Sequence, residues 1–500
     1  MTNPQRNPDR DKARIYIIGA GFAGRAIARE IAQKGVFGSV VAFLDDDPAK
    51  IGGKFEGITI LGPIRDVVNL LVRHPADEAI IAIPSASREF VRELYYLLKR
   101  AGFARIRIVP GIAQIVEGDA HLIQAREIDP QDLLGRTPVA IGLKESLAYL
   151  RGKRVLITGA GGSIGSELAR QLLSAGVSRL YLFGHGENSV YQIDRELRLL
   201  REEGVGEKTS IVPVIGELKD PDYVKFILSR LKADAIFHAA AYKHVPLMEA
   251  NTVAAVENNI LGTRNLVEAA LAADVKRFVL ISTDKAVDPA SVYGLSKMAA
   301  EKIVKASSAR AQAGRQFMVV RFGNVLGSRG SIIPLFRDQI AKGGPVTVTH
   351  PEASRYFMTI PEACSLVLKT GGVGKSGELY LLDMGEPVRI RDLAEQLIRF
   401  YGHEPGEGIQ IEYIRLRPGE RLEERLYSRD ETLVPTEYPR INRLEGRNGE
   451  FKLDELIAAI EPICSLIPGH EHEYRNKRIL RSVLKKFVPS LIVPDHEPEY

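Results

Sequence analysis

The sequence predicts an α/β chain made of two successive parallel-sheet units, and three observations predict it. Short apolar runs alternate with longer helical patterns, as in repeated strand–helix–strand units. Two of those runs open directly into glycine-rich turns, Gly19-x-Gly21-x-x-Gly24 and Gly159-x-x-Gly162-x-x-Gly165. The length, 500 residues, is more than one ordinary domain encloses, so two or three domains are expected.

Composition narrows the class. Hydrophobic residues make up 45% and charged residues 26%, as in ordinary globular proteins. With 68 basic against 63 acidic residues the net charge is +5, which demands no nucleic-acid partner. Cys364 and Cys464 stand in apolar settings and read as buried and reduced. No CxxC or HExxH pattern occurs, so no metal is expected. No run of 18 apolar residues occurs either, so no transmembrane helix is expected. Residues 1–13 are polar, lack the apolar centre of a secretory signal, and read as a disordered lead-in. A cytoplasmic location follows as the expectation.

The first unit is expected over residues 14–120. A strand ending at Ile18 runs into Gly19, Gly21 and Gly24, and a helix follows from Arg25 to Gln33. That context fits a dinucleotide: a tight turn, close backbone approach and a helix N-terminus facing phosphate. The second strand, Val40 to Leu44, ends at Asp45, placed to hold a ribose diol. The alternative is that these glycines serve only strand–helix packing, with the site empty or regulatory. A strand at Ala79 to Pro84, a helix at Arg88 to Ala101 and a strand at Ile106 to Pro110 complete the unit. Residues 121–150, with the turn-rich stretch Leu133 to Pro138, read as a connector.

The second unit carries the stronger signature. A strand over Arg154 to Thr158 precedes the loop Gly159, Gly162, Ser163, Ile164 and Gly165, and a helix runs from Ser166 to Ala175. The next strand, Leu180 to Phe183, ends in Gly184 where an acid would be usual, so Glu187 and Asn188 are the candidates for the ribose. No Arg or Lys in that turn can neutralise a 2′-phosphate, which favours NAD and leaves NADP open. Glu217, after the strand Ser210 to Val214, is placed to accept from an adenine amine. Ala239, Ala240 and Ala241 are small enough to let backbone lie against a cofactor. Lys243 and His244 then form an active-site wall, or else a solvated loop. Asn259 is expected to bond backbone beside Tyr293.

The densest chemistry lies between Ser282 and Lys297. Tyr293 and Lys297 are four apart and share a helix face, where a cation can stabilise a phenolate and make it a general base. Thr283 supplies a hydroxyl, and Asp284 and Lys285 an acid and a base. Taken alone, each pair is commonly a surface pair.

These segments, with His238 to Glu249, Arg321 to Ser331, Arg355 to Ile360, Leu382 to Pro387 and Arg417 to Glu420, resemble the bacterial polysaccharide-biosynthesis nucleotide-sugar 4,6-dehydratases of the UDP-N-acetylglucosamine type. The resemblance implies two Rossmann-like units. The second is an extended short-chain dehydrogenase over 151–440, with an NAD-binding core at 151–325 and a smaller substrate-binding part at 326–440. A helical extension, 441–500, follows. Long members typically begin with membrane helices, which this chain lacks, and many have Met where Tyr293 stands. The implied reaction is internally redox-neutral. Tyr293, its pKa lowered by Lys297 and the NAD ring, takes the 4-hydroxyl proton and hydride leaves C4. Lys285, which needs a depressed pKa, takes the C5 proton. Asp284 protonates the departing 6-hydroxyl, Thr283 orients the C4 oxygen, and hydride returns to C6.

Lys243, His244, Asn324, Arg329, Arg355, Arg417 and Glu420 are the substrate candidates, the arginines for a diphosphate. The implied partner is a UDP-N-acetylhexosamine, and a homo-oligomer is expected. Arg475 to Lys486 reads as a solvated basic face, or as a peripheral contact to an anionic membrane. Two other functions stay open: a UDP-sugar 4-epimerase or 4-reductase on the same fold, and a non-catalytic nucleotide-sensing scaffold.

Overall fold

In the computed structural model, residues 13–34, 38–109, 126–127, 146–446 and 451–492 are described. The chain divides into two units, Met1–Ala140 and Ile141–Tyr500.

In the first unit the apolar runs pair as β1 (Arg14–Ile18), β2 (Ser39–Leu44), β3 (Lys54–Phe55), β4 (Ile58–Leu61), β5 (Glu78–Ile81), β6 (Arg105–Ile108) and β7 (Arg126–Glu127), in the order β3-β4-β2-β1-β5-β6-β7. β1, β2, β4, β5 and β6 are parallel, and the edges β3 and β7 are antiparallel. Ile15, Ile17, Phe43 and Ile80 from the strands bury against Ile27 and Ile31 of the helix Phe22–Lys34. That helix starts three residues before the expected Arg25, because the glycine turn already supplies its first turn. The helix Arg88–Ala101 has the expected limits: the Ser87 side chain accepts from Phe90 N, and Gly102 closes it at φ 101°. The stretch Leu133 to Pro138 lies outside the described residues, as does the lead-in up to residue 12.

The second unit holds β8 (Arg154–Thr158), β9 (Arg179–Gly184), β10 (Ser210–Ile215), β11 (Ala235–His238), β12 (Arg277–Thr283) and β13 (Gln316–Phe322). Then come β14 (Asn324–Leu326), β15 (Val346–Val348), β16 (Ser354–Arg355), β17 (Phe357–Thr359), β18 (Leu379–Leu382), β19 (Val388–Arg389), β20 (Ile411–Tyr413), β21 (Glu431–Pro435) and β22 (Ile441–Gly446). The main sheet runs β10-β9-β8-β11-β12-β13-β18-β22-β21. It is parallel through β18 and antiparallel at β22 and β21. Its central strands are apolar on both faces, as a sheet covered by helices on two sides requires, and Phe278 and Phe317 stack across β12 and β13. Strand order reverses between β8 and β11, so a crevice forms beyond their carboxyl ends. β14–β17, β15–β20 and β16–β19 form three small two-stranded sheets outside the main one.

The described residues beyond 440 begin with a strand and pack into the core of the second unit. β22 pairs with β18. Leu456 and Ile460 of the helix Leu453–Cys464, and Leu480 and Leu484 of the helix Lys477–Phe487, share a buried core with Val256, Ile260 and Ile303. Arg481 is 2% exposed, so the basic stretch is not wholly a solvated face. Cys364 and Cys464 are buried and free, as expected. Among the described residues no helix is long and apolar enough to cross a membrane.

Candidate functional site

The crevice between β8 and β11 is built by close backbone approach. Gly159 has φ +67°, and a Cβ there would lie 2.8 Å from Ala240 N and Cα. A Cβ on Gly165 would lie 2.1 Å from Gly159 O, so neither position admits a side chain. Gly162 N donates to Gly159 O at 2.8 Å, and Gly162 starts the helix Ser163–Ser174 with no side-chain cap. Uncapped first-turn N–H groups at Ser163, Ile164 and Gly165 are a cradle for a phosphate. Glu187 and Asn188 are exposed in the first turn of the helix after β9. Ala239, Ala240 and Ala241 leave β11 beside the loop, with Ala239 N donating to Thr158 O at 3.2 Å. These residues fit a bound dinucleotide. Glu217, expected at the adenine amine, is engaged by Lys219 at 3.0 Å.

Beneath this floor His238 is 1% exposed. It bridges Thr158 Oγ1 (2.7 Å, Nδ1) and Thr263 Oγ1 (3.0 Å, Nε2), and Thr263 donates to Asn259 O at 2.7 Å. Burial, then the Lys297 charge, hold the imidazole down at about 3, so it stays neutral. Asn259 bonds the backbone of Tyr242. Its Oδ1 accepts from Tyr242 N and its Nδ2 donates to Tyr242 O, both at 2.9 Å. It reaches Tyr293 only through Ser296, whose Oγ accepts from Asn259 Nδ2 (2.9 Å) and donates to Tyr293 O (2.7 Å).

The catalytic candidates converge at the end of β12. Thr283 Oγ1 donates to Asp284 Oδ1 at 2.9 Å, and Lys285 Nζ donates to the same oxygen at 3.0 Å. Lys285 Nζ also donates to Asn324 Oδ1 at 3.1 Å. Asp284 is fully buried, and its Oδ2 has no partner among the described residues. A Cβ on Gly323 would stand 3.1 Å from that oxygen. The Ser291 side chain accepts from Gly294 N and caps the helix Val292–Ser308, which carries Tyr293 and Lys297. The Thr283 hydroxyl is among the groups that lower the pKa of the phenol.

Two proton affinities differ from expectation. Burial pushes Tyr293 up to about 12; the Lys285 charge pulls it down while Asp284 pushes it up. A phenol near neutrality is thus not the state of the free site. Lys297 donates to Ile281 O at 2.7 Å, and burial holds it down at about 8 against the charge of Glu301. Lys285 was expected to be depressed, yet it is raised. Desolvation works downward but is outweighed by the carboxylates of Asp284 and Glu424.

A cleft of about 80 Å³ opens beside Lys285, lined by Ser291, Arg355, Glu420, Arg421 and Glu424 among others. Arg355 reaches it, but its guanidinium already donates to the carbonyls of Ser354 (2.7 Å), Leu422 (2.9 Å) and Arg421 (2.7 Å). Arg417 forks onto Glu420 at 3.0 and 2.6 Å and is half exposed. Arg329 lies elsewhere: its N donates to Ser163 Oγ at 3.0 Å and its guanidinium to Gly161 O. It therefore sits on the glycine loop rather than in the cleft. Lys243 Nζ reaches Ser328 Oγ at 3.4 Å. Its pKa is lowered by desolvation and by the neighbouring charges of Arg329 and Lys285, a cationic setting that suits phosphate. His244 packs against Gly330, and burial and Lys243 lower its pKa.

Glu424 and Arg421 were not read from the sequence. Glu424 Oε1 lies 3.7 Å from Lys285 Nζ and 3.8 Å from Arg355 Nε, and Arg421 donates to Val287 O at 3.0 Å. Their only signal was that they continue the segment that begins at Arg417.

In the first unit Gly19 has φ +104° and packs on Ala82 and Ile83, and a Cβ on Gly24 would lie 2.0 Å from Gly19 O. Gly21 has nothing within 4 Å of its own would-be Cβ. Asp45, expected at a ribose, accepts instead from Ala20 N (2.8 Å), Asp47 N (2.9 Å) and Lys50 Nζ (3.1 Å).

A doubly wound sheet with a glycine loop at its switch point and a Thr283–Tyr293–Lys297 set at the end of β12 defines an extended short-chain dehydrogenase/reductase. More narrowly, the pattern of the polysaccharide biosynthesis protein family matches residues 155–446, more than half of the chain, and the chain belongs to that family. It is 41% identical over 457 residues to the capsular polysaccharide biosynthesis protein CapD of Staphylococcus aureus, covering 91% of this chain and 75% of the relative. It is 29% identical to the inverting UDP-N-acetylglucosamine 4,6-dehydratase of Campylobacter jejuni (57% of this chain, 81% of the relative). It is 31% identical to the UDP-glucose 4-epimerase of Rickettsia rickettsii (56% and 79%).

Proposed function

We propose that the chain is a UDP-N-acetylhexosamine 4,6-dehydratase working with NAD, which makes a 4-keto-6-deoxy sugar nucleotide for a bacterial surface glycan. The observation that carries this reading is the bond of 3.0 Å between Lys285 and the buried Asp284, next to Thr283. A 4-epimerase breaks no C5 or C6 bond and has no use for such a pair.

The glycine loop, Glu187, Asn188 and the Ala239–Ala241 backbone would hold the dinucleotide, and the chemistry NAD supplies there is acceptance and return of a hydride. Tyr293 takes the proton of the sugar 4-hydroxyl, with Thr283 orienting that oxygen. Burial holds the phenol high in the free site, and the Lys285 charge and the Thr283 hydroxyl work against it. The 4-ketone acidifies the C5 hydrogen. Elimination then needs a base at C5 and an acid at the 6-hydroxyl. Transfer of one proton along the Lys285–Asp284 bond turns the ion pair into an amine and a carboxylic acid, which are those two groups. Desolvation works toward the neutral amine, but the Asp284 and Glu424 carboxylates outweigh it in the free site, so the transfer belongs to the elimination step itself. Lys285 takes the C5 proton, Asp284 protonates the departing hydroxyl as water, and C5 regains a proton from the Lys285 ammonium when C6 is reduced, the phenol proton of Tyr293 restoring the balance.

Incubation with UDP-N-acetylglucosamine tests the reading by product mass. Loss of one water supports dehydration; an unchanged mass with altered C4 configuration supports the epimerase reading and rejects this one. Lys285→Ala is expected to stop water loss while C4 oxidation still registers as cofactor reduction.

A further inference from the structure

The helix Lys477–Phe487 is tied through Glu249 to the start of the helix that carries Tyr293. Arg481 on that helix donates from Nη1 to Glu249 Oε2 at 2.8 Å and from Nη2 to Glu249 O. Glu249, itself 7% exposed, accepts at Oε1 from Val292 N at 2.8 Å. Val292 is the first residue of the helix that carries Tyr293 and Lys297. A carboxylate at that end satisfies an otherwise open N–H and suits the positive end of the helix dipole.

Two further ties reach the same stretch. Ser490 Oγ donates to Pro289 O at 2.9 Å, and Ile492 N donates to Ala290 O at 3.2 Å. Pro289, Ala290 and Val292 are thus held from residues 481–492, directly or through Glu249. Ala290 and Ser291 line the cleft beside Lys285. The turn bearing Glu420 rests there too: a Cβ on Gly419 would lie 3.0 Å from Ser291 Cβ and 3.4 Å from Glu249 Oε1.

We propose that Arg481 is a positioning residue for the substrate cleft, acting through Glu249 on the segment Pro289–Tyr293. A forked guanidinium fixes both the side chain and the main chain of Glu249 with two nitrogens in one rigid plane, a geometry that an ammonium does not reproduce. The cofactor floor at Gly159–Gly165 shares none of these ties.

The experiment measures affinity for UDP by calorimetry, affinity for NAD, and kcat and KM with UDP-N-acetylglucosamine in the full chain. UDP binding needs no turnover, so it stays informative whichever reaction follows. A wild-type chain that binds UDP but does not dehydrate would count against the function proposed above and leave this inference standing. Arg481→Met is expected to weaken UDP binding and raise KM by about tenfold, with NAD affinity within about twofold of wild type. Arg481→Lys should recover only part of the loss. Removing one partner of a buried ion pair can unfold a protein, so Glu249→Gln with Arg481→Met, which leaves no lone buried charge, serves as the second variant. It should keep NAD affinity and still show weakened UDP binding. Wild-type UDP affinity and KM in either folded variant, or equal losses of UDP and NAD affinity, would overturn the proposal.

Discussion

The chain contains two glycine turns of similar spacing, held in different ways. In the first unit the acid that ends β2 is turned onto its own loop. Asp45 takes the N–H of Ala20 and Asp47 and the ammonium of Lys50. Desolvation works to raise its pKa, but these bonds outweigh it and the carboxyl is held below its usual range. In the second unit β9 ends in Gly184, and Glu187 and Asn188 stand exposed one step further on. The difference teaches that a glycine turn reports close backbone packing in both units, whereas the polar groups beside it are bonded within the loop in the first and exposed in the second. Gly24 and Gly165 obey the same rule, each within about 2 Å of a carbonyl if given a Cβ, yet only the second turn lies in the same unit as a Thr–Tyr–Lys set.

The largest test of that contrast is chemical. Tyr293→Phe should lower kcat by about 10²–10⁴-fold, the usual range for a positioned general base, as followed by product mass. Gly24→Ala and Gly165→Ala break the comparison more directly. Gly165→Ala should abolish NAD binding in a titration, while Gly24→Ala should lower the melting temperature and leave NAD binding to the second unit intact. Loss of turnover in both would erase the distinction.

Smaller effects sharpen it. Glu424→Gln removes a charge that favours the Lys285 ammonium, so the Lys285 pKa falls. The amine is then populated at lower pH, and the pH–rate profile of water loss should move toward acid. Asp45→Asn should act on stability alone, costing about 1–3 kcal/mol, with kcat unchanged. A carboxyl with a lowered folded pKa stabilises above its unfolded value near 4 and loses that contribution as pH falls through the folded value. The wild-type first unit should therefore soften below about pH 4 in an acid melt, and the Asn variant should lack that component.

Much of this was legible beforehand because it is local. Alternating apolar runs and glycine turns marked the central strands of both large sheets, and Thr283, Asp284 and Lys285, read together as acid–base chemistry, are bonded to one another at the end of β12. What was not legible depends on the neighbourhood. Glu424 and Arg421 lie in an irregular loop whose spacing encodes no face. Arg329 follows the short strand β14, and nothing in its spacing says that it folds back onto Gly161. The proton affinities of Tyr293 and Lys285 are set by burial and by carboxylates distant in sequence. β22 is six residues of mixed character, recognisable as a strand only once β18 is beside it.

The buried relay from Thr158 through His238 and Thr263 to Asn259 has a mechanical consequence. It spans the gap between the turn that would cradle a dinucleotide and the backbone under the Tyr293 helix. An imidazole held at about 3 stays uncharged over the range in which the enzyme would work. The hydrogen bonds that join Thr158 to Asn259 through His238 and Thr263 then keep one pattern of donors and acceptors, whatever acid does to the exposed groups around them.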